Sequence, residues 1–210
     1  MSQTIYTVGH STHTTDAFLS LLTPHRVTAI ADVRSTPYSR RNPQFNREEI
    51  RAALKIRCIK YVFLGKELGA RSDDECCYVN DKVRYSLLAQ TPLFKSGIER
   101  VLAGAQSHRI ALMCAERDPL DCHRTILISR ELVLRGANIL HILSDASIES
   151  HEDAIRRLVG RLKLGGEDMF RTQGITVEEA YEKQADRIAY DRTFHGPGTR
   201  DAHANEAEVQ

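Results

Sequence analysis

No sign of charge dominates this chain. Its 29 Lys and Arg stand against 28 Asp and Glu in 210 residues, a formal net charge of +1. No global field advertises nucleic acid or an anionic membrane, so any basic site has to be local. No apolar stretch approaches the roughly 18 residues of a membrane span, and the N-terminal MSQTIYTVGHST has no charged segment leading into a long apolar one. These absences predict a cytoplasmic protein with no membrane partner. The five cysteines, Cys58, Cys76, Cys77, Cys114 and Cys122, cannot all pair, and without a secretory signal they read as thiols, reactive groups or ligands rather than a disulfide framework.

What is present suits a packed core: 41% of the residues are hydrophobic, enough for one domain. Short β-branched runs recur at 4–10, 27–34, 59–65, 109–116 and 137–143. Between them lie segments with helical spacing. Phe18, Leu21 and Leu22 share a stripe behind the capping candidates Thr14 and Thr15, and Asn46 precedes a segment with Glu48 and Glu49 in its first turn. Pro92 opens another helix, and Gly136 is placed to end the one that follows Cys122. Strands alternating with helices predict an α/β fold, a single Rossmann-like domain with a mostly parallel sheet flanked by helices. Residues 64–82 fit neither period and read as a long loop. A helical C-terminal extension is expected over 151–192, after the α/β domain of 1–150, and a disordered tail over 193–210.

In an open α/β sheet, ligands sit beyond the carboxyl ends of the strands. Three polar groups fall there. The first strand runs into His10 and Ser11. The second runs into Asp32 and Arg34 and on to Arg40, Arg41 and Asn42. The fourth runs into Cys114, Glu116 and Arg117, and then Cys122, His123 and Arg124 open a helix. If the strands are parallel, these groups share one rim.

Arginine forks match phosphate or carboxylate oxygens, so Arg34, Arg40, Arg41 and Arg124 point to an anionic ligand. A cysteine between a strand and a helix N-terminus is placed for a lowered pKa, which makes Cys114 a candidate nucleophile, while Glu116 or His123 could move protons. Core packing of Cys114 and an ion pair between Glu116 and Arg124 are the bland readings. Zinc on Cys114, Cys122 and His123, joined by His10, ranks below anion binding, because seven residues separate the two cysteines where two to four are usual. Asp118 before Pro119 reads as a helix cap.

The segments IYTVGHS, ADVRSTPYSRRNPQFN, YVFLGKELGAR and CAERDPLDCHRTILISREL, in this order over about residues 4–145, resemble the bacterial and archaeal family of domain of unknown function 488. The resemblance implies a fold and a site location, not a reaction: a site at His10, Ser11, Asp32, Arg34, Arg40, Cys114, Glu116, Cys122, His123 and Arg124. A looser layout is similar to rhodanese-type sulfurtransferases, but a Cys-x5-Arg loop would need arginine where Leu120 stands. The expected function is thus an enzyme acting on a phosphate-bearing or other anionic ligand, a nucleotide or nucleic-acid end, with Cys114, Glu116, His123 and Asp32 in the catalytic group and no cofactor required. A non-catalytic module that binds nucleotide or nucleic acid is the alternative, and a Cys/His metal protein is the further one.

Overall fold

The computed structural model describes residues 3–164 and 173–193. The chain runs through β1 (Thr4–Gly9), α1 (Thr15–Leu22), β2 (Ala29–Asp32), α2 (Arg47–Ile56), β3 (Lys60–Phe63) and the single turn α3 (Gly65–Leu68). Next come the short strands β4 (Tyr78–Val79) and β5 (Lys82–Val83), the single turn α4 (Tyr85–Leu88), α5 (Pro92–Ala105) and β6 (Ile110–Cys114). The remainder is α6 (Arg130–Leu134), β7 (Asn138–Ile142), β8 (Ile148–Ser150), α7 (His151–Arg161) and α8 (Gln173–Ile188). None of these helices is long and apolar enough to cross a membrane.

Six strands form one sheet in the order β3-β2-β6-β1-β7-β8, parallel except for the antiparallel edge strand β8. Helices on both faces bury β1 and β6 along nearly their whole length, which is why both read as continuous apolar runs. Successive side chains alternate between two cores. Ile5, Leu112 and Cys114 join Phe94, Leu132 and Leu158 on one face, while Tyr6, Val8 and Met113 join Phe18, Phe45 and Ile50 on the other.

The local signals act as the chemistry requires. Thr14 accepts from the Ala17 amide at 3.2 Å, and Thr91, just before Pro92, accepts from Phe94 at 3.2 Å. Gly136 adopts φ of +83°, the left-handed conformation that ends a helix without a Cβ penalty. Asn46 does precede α2, but its Oδ1 accepts from the Ser39 amide at 2.7 Å and does not cap the helix. Residues 64–82, expected as a loop, contain α3 and the β4–β5 hairpin, whose Cys77 and Val83 are buried. Two-residue strands are too short to show a period.

The C-terminal part is helical and continuous with the sheet's core: Ala154, Ile155, Leu158, Ala180 and Tyr181 are buried in the same cluster as Ile5 and Leu112. A chain of buried polar contacts also joins it to the sheet. Thr7 Oγ1 meets His141 Nδ1 at 2.8 Å, His141 Nε2 meets His151 Nδ1 at 3.1 Å, and His151 Nε2 meets Tyr181 Oη at 2.7 Å. The tail expected to be disordered falls, apart from Thr193, outside the described residues.

Burial holds His151 neutral and lowers its pKa to about 4; burial, with His151 and Arg124 nearby, also lowers that of His141. Unfolding frees both to bind protons, so their contribution to stability is complete above about pH 6.5 and is lost as pH falls toward 4. Urea midpoints measured from pH 7 to pH 4 should fall across this window, and less steeply in His151→Gln; a variant slope equal to that of the parent chain contradicts the assignment.

Candidate functional site

The strand order puts β2, β6 and β1 side by side, so the three polar groups do share one rim. Backbone bonds continue past the strand ends: His10 N to Cys114 O at 2.9 Å, Ser11 N to Ala115 O at 2.9 Å, and Val33 N to Met113 O at 3.1 Å.

Two layers form there. In the first, Arg34 Nε donates to Asp32 Oδ1 at 2.9 Å, its Nη2 to Asp32 Oδ2 at 2.6 Å and to the Phe45 carbonyl at 2.9 Å, and its Nη1 to His10 Nε2 at 3.2 Å. Tyr61 Oη donates to Asp32 Oδ2 at 2.7 Å, and the His10 ring stacks on Phe45 with centroids 4.3 Å apart. With Nδ1 donating to the Ser11 carbonyl at 2.9 Å, His10 is a neutral imidazole whose pKa is lowered to about 4, first by burial and then by Arg34. In this arrangement the Arg34 donors are spent on Asp32, Phe45 and His10, Asp32 is a fully buried partner of Arg34 and Tyr61, and the His10 Nε2 lone pair faces Arg34. Together they stiffen the turn that carries Val33.

The second layer is made by Cys114, Cys122 and His123, all buried. Asp118 caps a 3₁₀ turn over Pro119–Asp121 by accepting from the Leu120 amide at 2.9 Å, as its place before proline predicts, and this turn folds Cys122 back onto the end of β6. His123 Nε2 donates to the Val33 carbonyl at 3.0 Å. Its Nδ1 is left as a lone pair, 3.7 Å from Cys114 Sγ and 3.8 Å from Cys122 Sγ. The three ligand atoms all lie within 4.8 Å of one another.

Arg124 holds this loop from beneath. Fully buried, it donates from Nη1 to the Glu116 carbonyl at 2.7 Å and from Nη2 to the Arg117 carbonyl at 3.3 Å. It therefore neither pairs with the Glu116 carboxylate nor reaches a ligand with its fork. Residues Arg124–Ser129 are wound as a π-helix, a rare form often found at functional sites, and Ser129 Oγ donates to the Arg124 carbonyl at 2.7 Å.

The two thiols shift in opposite directions. Cys114 is pushed well above the usual thiol range by the neighbouring Cys122 sulfur and by burial. Burial opposes ionisation of Cys122, but Cys114 beside it and the nearby Arg124 outweigh this and pull that thiol well down. The Arg124 amide also donates to Cys122 Sγ at 3.4 Å. Glu116 is exposed at the rim, with its carboxyl raised first by lost hydration and then by Cys122.

Arg40 and Arg41 are exposed on the loop after Arg34, with Asn42 partly buried beside them and its amide donating to Ser39 Oγ at 3.1 Å. Ser11 turns the chain at φ of +47°. Sequence reasoning missed Tyr61, Phe45 and the Val33 carbonyl: the first two contribute through a single atom or ring face, and a backbone carbonyl leaves no trace in residue type.

A Cβ at Gly9 would stand 1.9 Å from the Glu116 carbonyl oxygen and 3.2 Å from Arg124 Nη2. Gly9→Ala should therefore push the 115–117 backbone away from Arg124 and lower stability by about 1–3 kcal/mol in urea unfolding. A loss below about 0.5 kcal/mol, the usual range of neutral surface changes, would contradict this packing.

No curated protein and no solved structure matches the chain. A family model does, over residues 14–130, within the span of the four motifs and carrying the second, the third and all but the last two residues of the fourth. Because that match takes in more than half of the sequence and both layers of the rim except His10 and Ser11, the chain belongs to the family described as Domain of unknown function DUF488.

Proposed function

We propose that this protein is an enzyme whose reactive centre is the Cys114–Cys122–His123 cluster, acting on a phosphate-bearing or other anionic small molecule in hydrolysis or group transfer. The observation that carries this reading is the convergence of two sulfurs on an imidazole nitrogen whose proton is held elsewhere, at Val33. A core that needed only bulk would place apolar groups here. A nitrogen lone pair facing sulfur is the arrangement of an activated sulfur or of a ligand set.

The substrate class rests on Arg41, exposed on the loop that follows Arg34, since Arg34 and Arg124 are engaged within the protein. Glu116, its carboxyl raised and its side chain at the surface, is the group placed to carry a proton between the centre and solvent. Localisation in the cytoplasm is part of the same proposal.

Phosphomonoesters and nucleotides offered to the full chain should be turned over. His123→Ala should cut kcat by about 10²–10⁴, the usual worth of a positioned acid–base group, and Cys122→Ser should abolish turnover. Replacing Arg41 by alanine should raise KM while leaving kcat little changed, the pattern of lost uniform binding. Full turnover in Cys122→Ser, or none of these compounds converted, contradicts the proposal.

A further inference from the structure

We infer that Cys114 Sγ, Cys122 Sγ and His123 Nδ1 are three ligands of a soft or borderline divalent metal ion of the zinc type, with the fourth coordination position open toward the rim. The inference rests on the cluster being the reactive centre and assigns it a cofactor.

The distances are the first argument. A tetrahedral ion with Zn–S of about 2.3 Å and Zn–N of about 2.05 Å holds its sulfur and nitrogen ligands about 3.6 Å apart and its two sulfurs about 3.8 Å apart. The two S···N distances here are 3.7 and 3.8 Å, nearly equal, and no pair of the three atoms exceeds 4.8 Å. A simple thiol–imidazole hydrogen bond would favour one sulfur; a shared ion favours neither.

The surroundings are the second argument. A metal-bound histidine characteristically donates its other nitrogen to a carbonyl or carboxylate, which fixes the tautomer and aims the ring, and His123 Nε2 donates to Val33 O. Metal-bound thiolates accept backbone amides, and the Arg124 amide points at Cys122 Sγ. The buried guanidinium of Arg124 would offset part of the charge of two thiolates bound to an ion. The seven residues between the cysteines do not count against the site, because the Pro119–Asp121 turn closes the loop that they form.

Among the described residues no other group of three His, Cys, Asp or Glu side chains is close enough to hold an ion, and no fourth one joins this set. Three protein ligands and an open position describe a catalytic rather than a closed structural ion, one that takes water or a substrate oxygen as its fourth ligand. The thiols release their protons to solvent as the ion enters.

The test uses the full chain purified without chelators. Metal analysis should find close to one zinc-type ion per chain, and cobalt(II) added to stripped protein should give a thiolate-to-cobalt charge-transfer band and tetrahedral d–d bands. Zinc should displace the cobalt and slow alkylation of Cys114 and Cys122. His123→Ala should weaken cobalt binding by more than about 100-fold, the upper end of what a lost outer-shell partner costs. Replacing the exposed Cys58 and Cys76 together by serine should leave the bands unchanged.

A wild-type chain with no charge-transfer band and with alkylation insensitive to zinc overturns the metal site whatever the variants do. If such a chain still turns over phosphate esters, the centre works as a free thiolate and only the metal is lost. The converse, cobalt bands without turnover, supports the metal site and removes the proposed activity.

Discussion

The hydrogen bond from His123 Nε2 to the Val33 carbonyl is the contact on which the arrangement at the rim depends. It crosses from the end of β2 to the loop after β6, two neighbouring strands in the middle of the sheet. It fixes which imidazole nitrogen carries the proton, and so leaves a lone pair aimed at two sulfurs. The other features of the site hold the two ends of this bond in place. Arg34, bound to Asp32, Phe45 and His10, stiffens the turn around Val33, and Arg124, bound to the carbonyls of Glu116 and Arg117, anchors the loop that delivers His123.

This division of labour explains why the rim has so many cations and so few open ones. Burying a guanidinium is costly unless its donors are paired; a carboxylate meets that need at Arg34, while at Arg124 two carbonyls of a turn take Nη1 and Nη2 and Nε is left buried without a partner. Removing either partner would leave a charge stranded in the interior. Both arginines are spent on contacts within the protein, and Arg40 and Arg41 lie exposed further along the loop after Arg34.

The fold was legible where periodicity was long. β1, β6, α1 and α5 stand where apolar spacing and capping residues placed them, and the sharing of one rim followed from parallel strands. β8 and the β4–β5 hairpin were not legible, because strands of two or three residues show no alternation. That the polar groups converge on one rim was legible, and their partners were not: a sequence shows the charge of Arg34 and Arg124 and hides the carboxylate and carbonyls that they bind. Cys114 and Cys122 looked too far apart for one ion because residue spacing cannot show that Pro119 and the Asp118 cap fold the intervening chain back.

The most direct measurement is the tautomer of His123, read by nitrogen-15 NMR of the imidazole in full-length protein at neutral pH. The account predicts a proton on Nε2, shared with the Val33 carbonyl, and an unprotonated Nδ1 facing the sulfurs. A proton found on Nδ1, with Nε2 bare, would mean that no lone pair is offered to Cys114 and Cys122, and the reactive centre described here would not exist.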